Sequence, residues 1–146
     1  MLNYNSFNYV LSSQDKINTD GTYYELMFGG FNSQYNDYHV EVIGLVISNI
    51  NVLDYTMMTA SNLSYDGYFC RNILGSDTCI LANISAESIP QMTSNGSSFI
   101  VKNCRVPRLV TFKFLNADFT ELIDGVDINV EAQSNWLLTL KMTPIE

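Results

Sequence analysis

Two runs of strict alternation constrain this chain more than anything else in it. In RLVTFKFL, Arg108, Val110, Phe112 and Phe114 fall on one side, and Leu109, Thr111, Lys113 and Leu115 on the other. In NWLLTLKM, Trp136, Leu138, Leu140 and Met142 share one side, and Asn135, Leu137, Thr139 and Lys141 the other. A period of two sends successive side chains to opposite faces of an extended backbone, so both runs predict half-buried antiparallel strands. Trp136 is the one tryptophan, the largest apolar side chain a core can take. With Leu138 and Leu140 it is a candidate core residue. Between the runs, Asp124-Gly125 suits a tight turn, because both residue types accept positive φ at low cost.

The rest of the chain breaks into shorter pieces of the same kind. Strands are expected over Tyr4–Leu11, Thr22–Phe28, Tyr38–Ile50, Val52–Met58 and Ser98–Asn103, where Phe99 and Val101 point one way. Along Tyr38–Ile50, alternation puts His39, Glu41, Ile43, Leu45 and Ile47 opposite Tyr38, Val40, Val42, Gly44, Val46 and Ser48. Both faces of its second half are apolar, as expected of a strand covered on both sides, and Gly44 is a candidate bulge or close-approach position. Tyr68–Asn72 and Thr78–Ala82 read as a hairpin around Leu74-Gly75-Ser76, which brings Cys70 near Cys79. Asn62–Asp66 reads as loop, and Ile84–Met92 as irregular chain or one helical turn limited by Pro90. No stretch keeps helical periodicity for three turns. Many short strands with frequent turn signals and almost no helix predict one all-β domain over residues 1–146. The expected form is an antiparallel β-sandwich, a single jelly roll of about eight strands in two four-stranded sheets. An immunoglobulin-like sandwich fits less well, since no Cys…Trp…Cys spacing is present.

Composition excludes several functions. Seven Lys and Arg against fifteen Asp and Glu give a net charge of −8, without the basic cluster that phosphate-backbone binding needs. Only Lys102, Arg105 and Arg108 form a local basic group. The first ten residues lack the basic and apolar regions of a signal peptide, and no apolar run approaches the length of a membrane span. A cytosol-like compartment is expected, with the three cysteines reduced and the sequons at Asn62, Asn83 and Asn95 without weight. Charged residues make up 15% of the chain, and the surface is rich in Asn, Ser, Thr and Tyr. That suits a protein covered by neighbours, although a coding bias toward Asn, Ile and Tyr produces the same pattern.

One histidine and no CxxC pair leave no structural zinc site. The carboxylates Asp118, Glu121, Asp124, Asp127 and Glu131 crowd one segment but lack the order of a calcium loop, and read as a solvated rim. His39 beside Glu41 has no nucleophile in view and reads as an ordinary strand histidine. Ser12-Ser13 lacks a nucleophile-elbow setting and reads as a turn. No catalytic, cofactor-binding or metal-binding residue is assigned, and an enzyme is not expected. Aromatic loop residues are the candidates for contacts: Phe31 and Tyr35 in FNSQYND, and Tyr65 and Tyr68 in the next long loop. Tyrosine is enriched in protein interfaces, and it also stacks on sugars.

YVLSSQDKIN, Tyr9–Asn18, is similar to the strand followed by S-S-x-D-[KR] near the start of small single-jelly-roll capsid proteins of large icosahedral DNA viruses, virophages and polinton-like viruses. LVTFKFLNADFTELIDGVDINV, Leu109–Val130, followed by NWLLTLKMTPIE, Asn135–Glu146, resembles the final pair of strands of those proteins. The resemblance implies a structural protein without cofactor, found in the virion capsid and made in host cytoplasm. Its expected partners are itself and neighbouring major or minor capsid proteins. The chain is too short for a double-jelly-roll major capsid protein, so the implied role is the penton, a vertex subunit forming a homopentamer. A minor or cement capsid protein and a lectin-like receptor- or glycan-binding module are the alternatives.

Overall fold

The computed structural model describes residues 5–19, 23–48, 55–63, 65–66, 78–85, 91–92, 98–116 and 135–145. Ten strands run through them: β1 Phe7–Ser12, β2 Tyr23–Phe28, β3 Asp37–Ser48, β4 Tyr55–Ser61, β5 Tyr65–Asp66, β6 Thr78–Ser85, β7 Gln91–Met92, β8 Ser98–Val101, β9 Arg108–Asn116 and β10 Asn135–Ile145. A single 3-10 turn, Ser13–Asp15, follows β1, and no α-helix occurs among the described residues. The first sheet has the order β1-β10-β3-β8-β5, with β7 also beside β3, and the second has the order β2-β9-β4-β6. Every pairing is antiparallel. The molecule is an all-β sandwich.

Setting aside the two-residue strands β5 and β7, the pairings are nested. The first long strand pairs with the last (β1 with β10), the second with the second last (β2 with β9), the third with the third last (β3 with β8), and the middle two with each other (β4 with β6). Contacts of β10 with β3 and of β9 with β4 complete each sheet. The two alternating runs of the sequence therefore lie on opposite sheets and face each other across the core. Val110, Phe112 and Phe114 look inward from β9, and Trp136, Leu138, Leu140 and Met142 from β10. The Trp136 ring lies 5.4 Å from Tyr24, 5.5 Å from Phe112 and 6.4 Å from Phe114, centre to centre. Burial of such rings against a facing sheet is the main stabilising term of a sandwich.

Simple alternation fails along β3. Tyr38, Val40 and Val42 are buried as one face, but the next buried residues are Leu45 (1% exposed) and Ile47 (2%), from the opposite set. The pairing with β10 explains this, because Leu140 faces Val42 while Thr139 faces Gly44, which leaves Ile43 as an extra residue. A bulge of one residue moves every later side chain to the other face. Both faces of the strand read as apolar because the register flips, not because both faces are covered: Ile43 and Val46 point outward and are exposed.

Other boundaries differ from expectation. The strand expected over Val52–Met58 is described from Tyr55 and continues to Ser61, ending at Asn62, which takes a left-handed φ of 68°. Tyr65–Asp66, read as loop, is a short strand against β8. In the stretch read as irregular or helical, Ile84 and Ser85 belong to β6, and Gln91 and Met92 to β7. The described partner of β6 is β4, and Cys79 faces Ala60 there. The proposed partner strand Tyr68–Asn72, the turn at Leu74-Gly75-Ser76, Cys70 and Asp124-Gly125 lie outside the described residues.

Candidate interaction surfaces

At one end of the sandwich, the loop after β2 is fastened to the loop after β8. Gly29 (φ 89°) and Gly30 (φ 76°) turn the chain through the left-handed region. This brings Gly30 N–H to the Cys104 carbonyl at 2.7 Å and Phe31 N–H to the same oxygen at 3.3 Å. Glycine is required at the first position, since a Cβ on Gly29 would sit 2.9 Å from that oxygen. Cys104 N–H donates to the Asn36 carbonyl at 2.7 Å. The Asn36 side chain accepts from Arg105 N–H at 3.3 Å and donates to Asn103 Oδ1 at 3.1 Å, and Asp37 Oδ1 accepts from Asn103 N–H at 3.2 Å. The Arg108 guanidinium closes the second loop by donating to the Asn103 carbonyl at 2.7 Å and to the Lys102 carbonyl. Cys104 is fully buried here. Desolvation pushes its thiol up to about 11, against the pull of Arg108 and with a smaller push from Asp37. It is a neutral packing group.

The contact candidates sort unevenly on this frame. Phe31 is half-buried and spends its ring inside the molecule, edge-on to Tyr9 (4.9 Å), Phe7 (5.2 Å) and Tyr38 (5.5 Å). Tyr35 is also half-buried and packs on the core. Between and beside them Asn32, Gln34 and Asn36 are the exposed positions. The loop thus presents amides on a rigid aromatic base. Tyr65 stands in β5 opposite Val101. Tyr68 lies outside the described residues.

A second surface was not singled out in the sequence. On the outward face of the first sheet, Val10 (52% exposed) faces Thr139, Leu137 (45%) faces Val46 (42%), and the bulged Ile43 (38%) adjoins Gly44. One row further along, Asn8, Lys141 and Glu41 are successive cross-strand neighbours. The signal for this patch was present in Leu137, an apolar residue on the polar side of its run. The part supplied by Ile43 and Val46 depends on the bulge and was hidden.

Ser12 and Ser13 hold backbone in place. Ser12 Oγ accepts from Gln14 N–H at 3.1 Å, and Ser13 Oγ accepts from Trp136 N–H at 3.0 Å, which ties the 3-10 turn to β10. His39 is half-buried in β3 opposite Thr143 and Ile100. The carboxylates from Asp118 to Glu131 lie outside the described residues. Among the described residues no three His, Cys, Asp or Glu side chains gather as a metal site, and no helix is long and apolar enough to cross a membrane. Searches of family models, curated proteins and solved structures found no match to this chain.

Proposed function

We propose that this chain is a structural shell subunit of an icosahedral DNA virus, a single jelly roll that occupies the fivefold vertex as a homopentamer. The observation that carries the reading is the nested pairing of eight long strands, first with last and inward to the middle pair. Rolling one long antiparallel hairpin into two facing sheets produces that order, and this wrapping is how a jelly roll is built. The motif resemblance of Tyr9–Asn18 and of the last two long strands points the same way. Those segments are β1 with its 3-10 turn, β9 and β10, which meet across one core.

A ring with cyclic symmetry needs two different adhesive surfaces on each subunit. The amide-bearing loop end and the outward apolar face supply two candidates of different chemistry. The reading assigns the protein no catalytic role and no cofactor, and takes neighbouring capsid proteins as its partners. Native mass spectrometry and negative-stain microscopy of the purified chain test it, with species of five chains and fivefold rings as the expected result. Monomers or trimers, or a virion map placing the chain away from every fivefold axis, would favour a minor or cement position instead. A monomer that binds glycans at micromolar concentration would favour a lectin-like module.

A further inference from the structure

Where the loops after β2 and β8 meet, the charge runs against that of the whole molecule. Three of the seven Lys and Arg fall within residues 102–108, as Lys102, Arg105 and Arg108, and no Asp or Glu does. The loop fastened against them, residues 29–37, adds one acid, Asp37, whose Oδ1 accepts from Asn103 N–H at 3.2 Å. The chain as a whole carries −8. Charges further off than a Debye length, about 8 Å at physiological salt, are largely screened. The local cations therefore set the field felt at this loop.

The same loop turns an apolar side chain to water. Val106 is 64% exposed, more than any other large hydrophobic residue among those described. Its neighbours Arg105 and Pro107 are exposed as well. The backbone that carries them is fixed from both sides. Val106 N–H donates to the Asn103 carbonyl at 3.2 Å, and Arg105 N–H to Asn36 Oδ1 at 3.3 Å. Pro107 lies against Gly30, where a Cβ would meet its ring at 3.3 Å. Cys104 Sγ reaches the Val101 carbonyl at 3.6 Å from within the core. A loop ordered in advance loses little conformational freedom when a partner arrives.

We propose that residues 102–107 form a docking knuckle for an acidic protein segment. Asp or Glu side chains of the partner meet Lys102 and Arg105, and an apolar side chain between them covers Val106. Charge complementarity selects the occupant. Nucleic acid needs more cations than three and meets an acidic body beyond them. A sulfated glycan would use the cations and leave Val106 in water. An arginine beside a valine that gains from burial is the composition of a protein contact. The vertex reading names no chemistry for a partner at this end, so the knuckle stands or falls without it.

Nuclear magnetic resonance titration of the full chain with a synthetic peptide of EELLEE repeats tests the knuckle. The Arg105 and Val106 amides are expected to shift, with a Kd below about 1 mM that weakens as salt is added. Arg105→Glu and Val106→Ser should each weaken binding about tenfold. Both positions are exposed, so both variants should keep the wild-type melting temperature. Peptides of EESSEE and KKLLKK repeats should bind at least about tenfold less well, since each lacks one half of the match. No shift at residues 102–107, equal binding by either variant, or equal binding of either control peptide would overturn the proposal. So would a sulfated oligosaccharide that binds more tightly than the peptide and is indifferent to Val106→Ser. The number of chains per ring tests the vertex reading alone, so the two fail separately.

Discussion

Trp136 and Tyr38 are both fully buried aromatics, and among the described residues each has a polar atom without a hydrogen-bond partner, Nε1 in one and the hydroxyl in the other. Their truncations should differ in sign. Trp136→Ala empties the volume between Tyr24, Phe112 and Phe114, and should cost about 3–5 kcal/mol, because a sandwich closes poorly around so large a cavity. Tyr38→Phe keeps the ring against Phe7 and Phe31 and removes only the unpaired hydroxyl, so it should raise stability by about 1 kcal/mol. Urea midpoints of the two variants check both values. Cys104 predicts a pH dependence. A thiol gives up its proton near 9.0 when exposed but near 11 in this site. Between those values the unfolded chain has lost a proton that the folded chain retains. Stability from this group is complete below pH 9 and falls as pH climbs toward 11. Cys104→Ala should flatten that part of the alkaline slope in a melting-temperature series.

Glycines in different elements of this fold should respond oppositely to the same substitution. Gly29 sits in the knot between the loops after β2 and β8, with φ 89° and no room for a Cβ beside the Cys104 carbonyl. Gly29→Ala should therefore destabilise by about 1–3 kcal/mol. Gly44, at the β3 bulge, has no atom within 4 Å of a built Cβ and no positive φ. Gly44→Ala should stabilise by about 0.4–1 kcal/mol through the unfolded chain. Thermal melts of the pair distinguish a glycine the backbone requires from one it tolerates. Only the first is marked by its surroundings, and nothing local in GGF or IGL tells the two apart.

The whole molecule depends most on its last strand. β10 lies between β1 and β3 and pairs with both along most of its length. It also carries Trp136, Leu138, Leu140 and Met142 into the core. A chain ending at residue 134 loses the centre of one sheet and leaves the inward face of the other without its cover. It should lack the near-ultraviolet aromatic signal and the cooperative melt of the full chain. Because first and last strands pair, the fold closes only when the C-terminal strand arrives, and such long-range closure makes slow folding expected.

Local chemistry was enough to read the β class, the two alternating sides of β9 and β10, the shared side of Phe99 and Val101 in β8, and the buried position of Trp136 with Leu138 and Leu140. In β10 that side is apolar without interruption, and the period of two assigns the face directly. The same logic misplaced Leu45, Ile47 and Val46, because a single inserted residue reverses the face; Gly44 was legible as a candidate bulge, and the pairing with β10 shows the insertion beside it at Ile43. Phe31 and Tyr35 were legible as aromatic loop residues but not as packing residues; the Phe31 ring is covered by Phe7 and Tyr9 of β1, distant in sequence. The occupied edge of β2, where Ile17 and Asn18 bond to Tyr23 and Glu25, was invisible, because an edge is a property of which strands lie side by side. Composition and alternation determine which side chains leave water. Which backbones remain open to a partner is decided only when strands far apart in the chain have paired.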